Sequence, residues 1–499
     1  MSNDPLLRTA RQTLQLSIKA GQGLANAAVA GIEQAQERRG ARAASRGLIG
    51  PDDPPPPPEW SAAVLDYRGL ARPRELGSFP WKYRLGRPRR TGGDWGILPG
   101  EVGLTDGGIA RHAAVIGPPG SGKTASIAVP WIYAALNAGR SVVAMDVRGD
   151  LWPSLRRYGA VHGKLGAKVF HWDPGDPGSS SSWRWLEELD SDEANEVAVG
   201  AIMGRVPANQ LASADRRHDA QILSALFSLT RGAARTTARD LMETLADPAR
   251  VRALLARSPS SPAAESLRGL LLGLSPGRYP GAVSGALAAL EPLATPRVSG
   301  LTTVRGLSLD ALTRGPALLI VGVPSSGARS ERTVSGLMLA LAAQRWLRGF
   351  PGVPALLVLD EAPLIQSHVD LTSVLSLGAR VGLAVLLCAQ DVCQFDEHER
   401  EELLANCGTI VMLPGVTANS TEYLARRLGM RQAVELARSV QRTSLWRAPR
   451  RELSTSSHMV EMIGHREISS PPFDRWPAIA HAATLHPRPL LLDLTRADL

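Results

Sequence analysis

Apolar residues in this chain gather into short unbroken runs rather than strict alternation. Such runs occupy residues 112–116, 141–145, 167–171, 317–322, 354–360, 383–389 and 409–413. Each has strand length and suits a strand covered on both faces. Between several of them lie helix-length stretches, at 125–137, 331–347, 371–380 and 421–428. Residues 112–175 alternate strand, helix, strand, helix, strand, the rhythm of a parallel sheet with crossover helices. The rhythm then stops. Residues 183–300 carry almost no strand signal, and Ile222, Leu223, Leu226 and Phe227 fall on one helical face. Two more helical pieces, 239–245 and 251–256, are split by Asp247-Pro248. The pattern predicts an α/β chain whose sheet closes across an all-helical insertion.

The flanks read differently. Residues 5–45 look helical, with Leu6, Leu14, Ile18, Leu24 and Ile32 as a loose apolar stripe. That stripe suits a membrane surface, a partner helix, or simply a marginal tail. Five consecutive prolines within 50–58 predict a stiff extended linker. Residues 60–111 mix turns with strand-like pieces, and 442–457 reads as an exposed loop. The expected domains are therefore a helical tail (1–49), a Pro-rich linker (50–59) and a first nucleotide-binding part (60–182). The all-α insertion (183–300), a second nucleotide-binding part (301–470) and a C-terminal segment (471–499) follow.

The first strand-to-helix junction reads Gly117-Pro118-Pro119-Gly120-Ser121-Gly122-Lys123-Thr124. This is GxxxxGK[ST] in the strand–loop–helix context that the motif requires. Glycines let backbone N–H groups turn inward around an anion, and a helix N-terminus adds positive potential. Lys123 is expected at the β- and γ-phosphates of ATP, and Thr124 at Mg²⁺. The run Ala355-Leu-Leu-Val-Leu-Asp360-Glu361 is a Walker B pattern, an apolar strand delivering two acids. Asp360 is expected to hold Mg²⁺ and Glu361 to polarise the attacking water. Gln390 ends the next strand and is either a γ-phosphate contact or a local hydrogen-bonding amide. Arg380 precedes that strand and is either a trans-acting finger on a neighbour's γ-phosphate or a surface arginine.

Composition adds three points. The net charge is +9, and lysine occurs only at positions 19, 82, 123, 164 and 168, so arginine carries nearly all of the positive charge. Guanidinium groups suit phosphate backbones, although a GC-rich genome would produce the same bias. Two basic stretches suit either a nucleic-acid contact, in the second case as the lining of a channel, or a solvated face. The first runs from Arg68 to Arg90 with Phe79, Trp81 and Tyr83 interleaved, and acidic lipid suits it too. The second runs from Arg426 to Arg451. The three cysteines have no zinc spacing, no run approaches a membrane span, and there is no signal-peptide core. A reduced, cytoplasmic location is expected, with peripheral contact at the inner membrane face as an option.

Taken in order, these motifs resemble the type IV coupling proteins of conjugative DNA transfer, the TraG/TraD-like ATPases related to the FtsK and HerA motors. After the phosphate loop comes Val142-Val-Ala-Met-Asp-Val-Arg-Gly-Asp-Leu151, similar to the family's strand ending in D-x-K-G-E, with Arg148 and Asp150 substituted. Val169-Phe-His-Trp-Asp-Pro174, the Walker B acids, Gly378-Ala-Arg-Val-Gly382 and Ala389-Gln390 follow, then Asn406 to Val411 and Thr421 to Gly429. The resemblance covers roughly residues 112–470. It implies a RecA-like P-loop NTPase with a mainly parallel sheet and an inserted all-α domain, assembled as a homo-hexameric ring. It also implies ATP and Mg²⁺ at each subunit interface, with Arg380 as the finger and Gln390 as the sensor. Expected partners are DNA bound largely without sequence preference, a relaxase or other transferred protein, and membrane secretion-channel components. Family members usually begin with transmembrane helices, and none is legible here. The expected function is a DNA-translocating coupling ATPase. The alternatives are a coupling ATPase for protein cargo, or a docking platform that binds nucleotide without working as a motor.

Overall fold

The computed structural model describes residues 81–88 and 100–494, apart from 164, 206–212, 234, 235, 305, 325–328, 350, 351, 442–449, 465–467, 469–476 and 487. For 431–458 the description is of the backbone. The expected tail and linker lie outside the described residues, as do Arg68, Arg72, Arg74, Phe79, Arg89 and Arg90.

Thirteen strands are described. They are β1 (Tyr83–Pro88), β2 (Val102–Leu104), β3 (Ala113–Ile116), β4 (Ser141–Asp146), β5 (Lys168–Trp172), β6 (Ala317–Gly322) and β7 (Ala355–Leu359). Then come β8 (Leu383–Ala389), β9 (Thr409–Met412), β10 (Met430–Gln441), β11 (Arg450–Glu461), β12 (Pro477–Ala482) and β13 (Leu490–Asp493). Eleven form one sheet in the order β2-β1-β13-β12-β9-β3-β8-β7-β4-β6-β5. From β9 to β5 every pairing is parallel. At the β9 edge β12, β13, β1 and β2 continue the sheet antiparallel.

The unbroken apolar runs are explained by burial on both faces. Val115, Ala144, Ile320, Val358, Leu386 and Cys388 face one core with Trp131, Ile132 and Leu155. Their neighbours Ile116, Met145, Val321, Leu359, Leu387 and Ala389 face the other. The first core is covered by α1 (Val129–Asn137) and α2 (Leu151–His162).

The second core is continuous with the helical region. That region holds α3 (Asp192–Met203), α4 (Ala214–Thr230), α5 (Ala238–Ala246), α6 (Pro248–Arg257), α7 (Pro262–Leu271), α8 (Tyr279–Ala294) and α9 (Pro296–Thr302). Its sequence marks the helix starts. Ser191, Ser213, Thr237, Asp247 and Ser261 each accept a first-turn N–H, and Thr237 with Asp240 forms a capping box. Its entry and exit are strapped together, since Trp183 N–H donates to Leu301 O at 2.8 Å and Leu307 N–H to Ser182 O at 2.8 Å. The region packs on α10 (Arg329–Leu347). There Arg345 donates to Glu188 Oε2 at 2.5 Å and to Asp190 Oδ2 at 2.7 Å, with Arg345 and Glu188 both buried. Burial raises the Glu188 carboxyl above its usual range, while hydrogen bonds to Asp190 and Glu188 hold the Arg345 guanidinium charged.

Three further helices complete the sheet's cover: α11 (Leu371–Gly378), α12 (Glu397–Ala405) and α13 (Ala418–Leu428). Two expectations change. Residues 450–457, expected in a loop, belong to β11, paired with β10 in a separate two-stranded sheet; residues 442–449 lie outside the described residues. The described part of the first basic run is residues 81–88, of which 83–88 form β1, and Tyr83 is fully buried edge-on to Trp131, 5.8 Å between centroids. Tyr83 therefore offers no stacking face. Lys82 is tied to Asp106, and Arg84 reaches Glu101 at 3.1 Å.

Candidate functional site

The C-terminal ends of the parallel strands are in step. Ile116 lies opposite Ala389, Leu359 opposite Leu387, and Met145 opposite Leu359. The residues that follow each strand therefore emerge together at one edge, where open α/β sheets bind ligands.

β3 feeds the glycine-rich loop. Gly117 N–H donates to Ala389 O at 3.0 Å, which fastens the loop to β8. A Cβ at Gly117 would lie 2.7 Å from both Leu413 Cβ and Ser121 Oγ, so no larger residue fits. Gly120 and Gly122 have φ of 75° and 95°, a conformation glycine adopts without steric cost. The helix beyond does not begin as an α-helix. Lys123–Ala128 forms a π-turn, and Val129 N–H donates five residues back to Thr124 O. Pro130 follows and has no N–H to continue an i−4 ladder, so the wide turn resolves where proline would otherwise break it.

Lys123 is buried, with Nζ donating to Gly117 O at 2.6 Å and Pro118 O at 3.3 Å. The same ammonium lies 3.8 Å from Glu361 Oε1. Thr124 Oγ1 donates to Asp360 Oδ2 at 3.2 Å, although the two residues are 236 positions apart. Asp360 is 4% exposed, and its Oδ1 has no partner. Burial, reinforced by the Glu361 charge, pushes its pKa up to about 6; Lys123, Arg148 and the Thr124 hydroxyl act against that rise. Glu361 has a left-handed backbone, φ 61°. Its Oε1 accepts from Gln390 Nε2 at 3.1 Å. The structure thus brings Lys123, Thr124, Asp360, Glu361 and Gln390 together.

Arg380 lies elsewhere. It sits exposed in a short 3-10 turn, Ala379–Val381, ahead of β8, whereas Gln390 follows β8. Seven residues of strand put about 20 Å between them. Within one chain Arg380 does not meet the other five residues. His112 stands near its turn, buried, with φ 58°. His112 Nδ1 accepts Val385 N–H at 3.1 Å, so Nε2 carries the proton that it donates to Leu375 O in α11 at 2.8 Å. Burial pushes its pKa down.

A loop beside the acids, matched in the sequence only as part of the family resemblance and given no site role there, also belongs here. Asp146 follows Met145 in β4 and so stands next to Asp360. Its buried carboxylate accepts N–H groups from Arg148 (3.1 Å), Gly149 (2.8 Å) and Leu151 (3.0 Å). These bonds fix the turn that carries Arg148, whose charge favours ionised Asp360. The signal was an acid-x-Arg-Gly pattern at the end of a strand adjoining Walker B.

The residues fit a magnesium nucleotide. Asp360 Oδ1 and Ser121 Oγ are buried polar atoms without partners, at the places where a metal and a phosphate would supply them. Asp360 Oδ2 and Thr124 Oγ1 already adjoin, and the loop glycines leave no side chain in the cradle.

Two family models match the chain and together span just over half of it. One is Type IV secretory system Conjugative DNA transfer, over residues 77–215; the other is TraM recognition site of TraD and TraG, over residues 354–471. No curated protein matches the sequence. Among solved structures, the unbound form of the bacterial conjugative coupling protein TrwBdeltaN70 superposes with TM-score 0.60 at 18% identity, covering 84% of this chain and 95% of that one. The plasmid coupling protein TrwB with ADP and Mg²⁺ gives 0.59 at 19% identity, over 84% and 96%. The same protein with the ATP analogue ADPNP gives 0.60 at 18% identity, over 85% and 96%.

Proposed function

Because the chain belongs to the coupling-protein family of conjugative type IV secretion, we propose that it is an ATP-hydrolysing motor delivering DNA and its bound protein to a transfer channel. The observation that carries this reading is the convergence of Lys123, Thr124, Asp360, Glu361 and Gln390, from three strands, at one sheet edge. In the unliganded loop Lys123 spends its protons on loop carbonyls. A triphosphate offers those protons charged acceptors instead, and such bonds are roughly twice as strong. Glu361, freed from Lys123, orients and polarises the attacking water, while Gln390 contacts the γ-phosphate. Thr124 and Asp360 hold Mg²⁺, which when bound neutralises phosphate charge. Arg380 reaches the site of a neighbouring subunit in a ring, a role its exposure and its distance from its own chain's site both suit. The TrwB structures with ADP, Mg²⁺ and ADPNP support nucleotide as the ligand here. The match to a TraM recognition site supports a nucleoprotein partner at 354–471. Among the described residues no helix is long and apolar enough to cross a membrane. We place the protein at the cytoplasmic face, recruited by channel components.

The test is ATP turnover by the purified protein with and without single- or double-stranded DNA, beside the Glu361→Gln variant. DNA should raise the rate, and the stimulation should weaken steeply between low and physiological salt. Glu361→Gln should cut turnover by about 10²- to 10⁴-fold while nucleotide still binds. Turnover indifferent to DNA would point to polypeptide cargo. DNA delivery unaffected by Glu361→Gln would point to a docking platform.

A further inference from the structure

The segments that carry Glu361 and Gln390 meet the helical region at one polar cluster, in which Gln366 and Glu399 are buried. After Glu361 the chain makes a 3-10 turn, Ala362–Ile365, and residues 366–370 then lie against the end of α3. Ser367 O accepts Arg205 N–H at 2.6 Å. His368 Nδ1 is 2.7 Å from Ala201 O. Asp370 Oδ1 pairs with Arg205 Nη2 at 3.0 Å. Gln366 faces the other way. Its Oε1 accepts Asp396 N–H at 3.1 Å and its Nε2 donates to Glu399 Oε2 at 3.0 Å.

Glu399 opens the post-sensor helix α12 and is buried. Arg205 closes on it too, at 3.4 Å to Oε2 and 3.3 Å to Oε1. On the sensor side, Gln394 Oε1 accepts the N–H groups of Gln390 (2.9 Å) and Asp391 (3.3 Å), just ahead of Asp396. One arginine from the helical region thus grips both carriers, Walker B through Ser367 and Asp370, and the sensor through Glu399.

We propose that Arg205 is a positioning residue through which the helical region sets the segments bearing Glu361 and Gln390. The arrangement of the helices and the state of the γ-phosphate are thereby linked. The inference rests on the motor reading above. Its physical basis is that a buried carboxylate cannot be left alone. If either carrier shifts, Glu399 must keep Arg205 or lose the only cation on it among the described residues. A guanidinium fork that binds two acids from two segments holds them in one geometry. Any such link is reciprocal, so nucleotide must act on the helices as they act on the site.

The test uses the full chain and the Arg205→Met/Glu399→Gln double variant, which removes the half-buried Arg205 charge together with the buried Glu399 charge and so avoids leaving Glu399 without its cation. Hydrogen–deuterium exchange is followed on addition of Mg²⁺ and the analogue AMP-PNP. In the unmodified protein, exchange should slow in 117–124 and change in α3 and α4. In the double variant the loop should still respond and the helices should not. DNA stimulation of turnover should fall at least about fivefold. A helical response that survives in the double variant overturns the inference. So does a wild-type loop that responds while α3 and α4 stay silent, an outcome that leaves the motor reading intact. No response at 117–124 overturns the motor reading, and this inference with it.

Discussion

Two non-glycine residues among those described adopt a left-handed backbone, and they stand at opposite ends of the same central strands. Glu361, φ 61°, sits at the C-terminal edge beside Gln390. His112, φ 58°, sits at the N-terminal edge, where β3 and β8 begin. Each carries about 1–2 kcal/mol of backbone strain. What surrounds them differs. Both ring nitrogens of His112 are bonded to fixed main-chain atoms, so its surroundings hold the strained conformation in place. Around Glu361 polar capacity is unspent, with Asp360 Oδ1 and Ser121 Oγ unpartnered and Lys123 on makeshift carbonyl partners. Strain that is fully satisfied marks structure; strain beside unsatisfied polar atoms marks a place awaiting a ligand.

The largest effect that would break this contrast concerns Arg380, the one expected site residue at the satisfied end. Arg380→Ala should lower turnover by about 10³- to 10⁵-fold. Mixing it with Glu361→Gln subunits should restore part of the activity, because some mixed interfaces regain an intact acid and an intact arginine. If mixing restores nothing, Arg380 does not act across subunits, and the N-terminal edge is structural throughout.

A pair of glycine substitutions sharpens the contrast. Glu361→Gly relieves strain and removes few satisfied bonds, so the chain should gain up to about 1 kcal/mol by denaturant titration while losing turnover. His112→Gly relieves the same strain but strands Leu375 O and Val385 N–H, and should cost about 1–3 kcal/mol. Equal signs for the two would abolish the distinction.

The smallest effect is a pH dependence. His112 is held neutral, its pKa below the ordinary value, whereas the unfolded chain takes up this proton near pH 6.5. The stability it contributes is complete above about pH 6.5 and declines as pH falls toward the depressed folded value. Between about pH 7.5 and about pH 5.5, the unmodified protein should lose more stability than His112→Gly does. A loss of equal size in the two would mean that His112 is not the group responsible.

Much of this was legible beforehand, for reasons that particular residues make plain. The runs at 317–322 and 383–389 are strands with those same bounds, because strands buried on both faces leave no polar interruption. The phosphate loop was legible because its chemistry tolerates so few residue types. The β10–β11 pairing was not. Arg431, Gln432, Glu435 and Arg438 interrupt any apolar alternation, and the partner strand is identified only by register. The antiparallel extension was hidden because β1 pairs with β13 across most of the chain's length. The Arg205 cluster has no local signature, being three unremarkable polar residues, Arg205, Gln366 and Glu399, until folding joins them. Nor could spacing settle that Gln390 meets Glu361 while Arg380 stands a strand's length away.

The position of β3 between β8 and β9 bears on how the protein is made. The ribosome delivers the phosphate loop early, yet both neighbours of its strand arrive only after the whole helical region and the Walker B strand. At cellular translation rates that interval is on the order of tens of seconds. Throughout it the nascent chain holds an apolar strand with two bare edges, a segment for chaperones to shelter. It also means that a half-made polypeptide lacks the assembled site, because Asp360, Glu361 and Gln390 all follow the helical region.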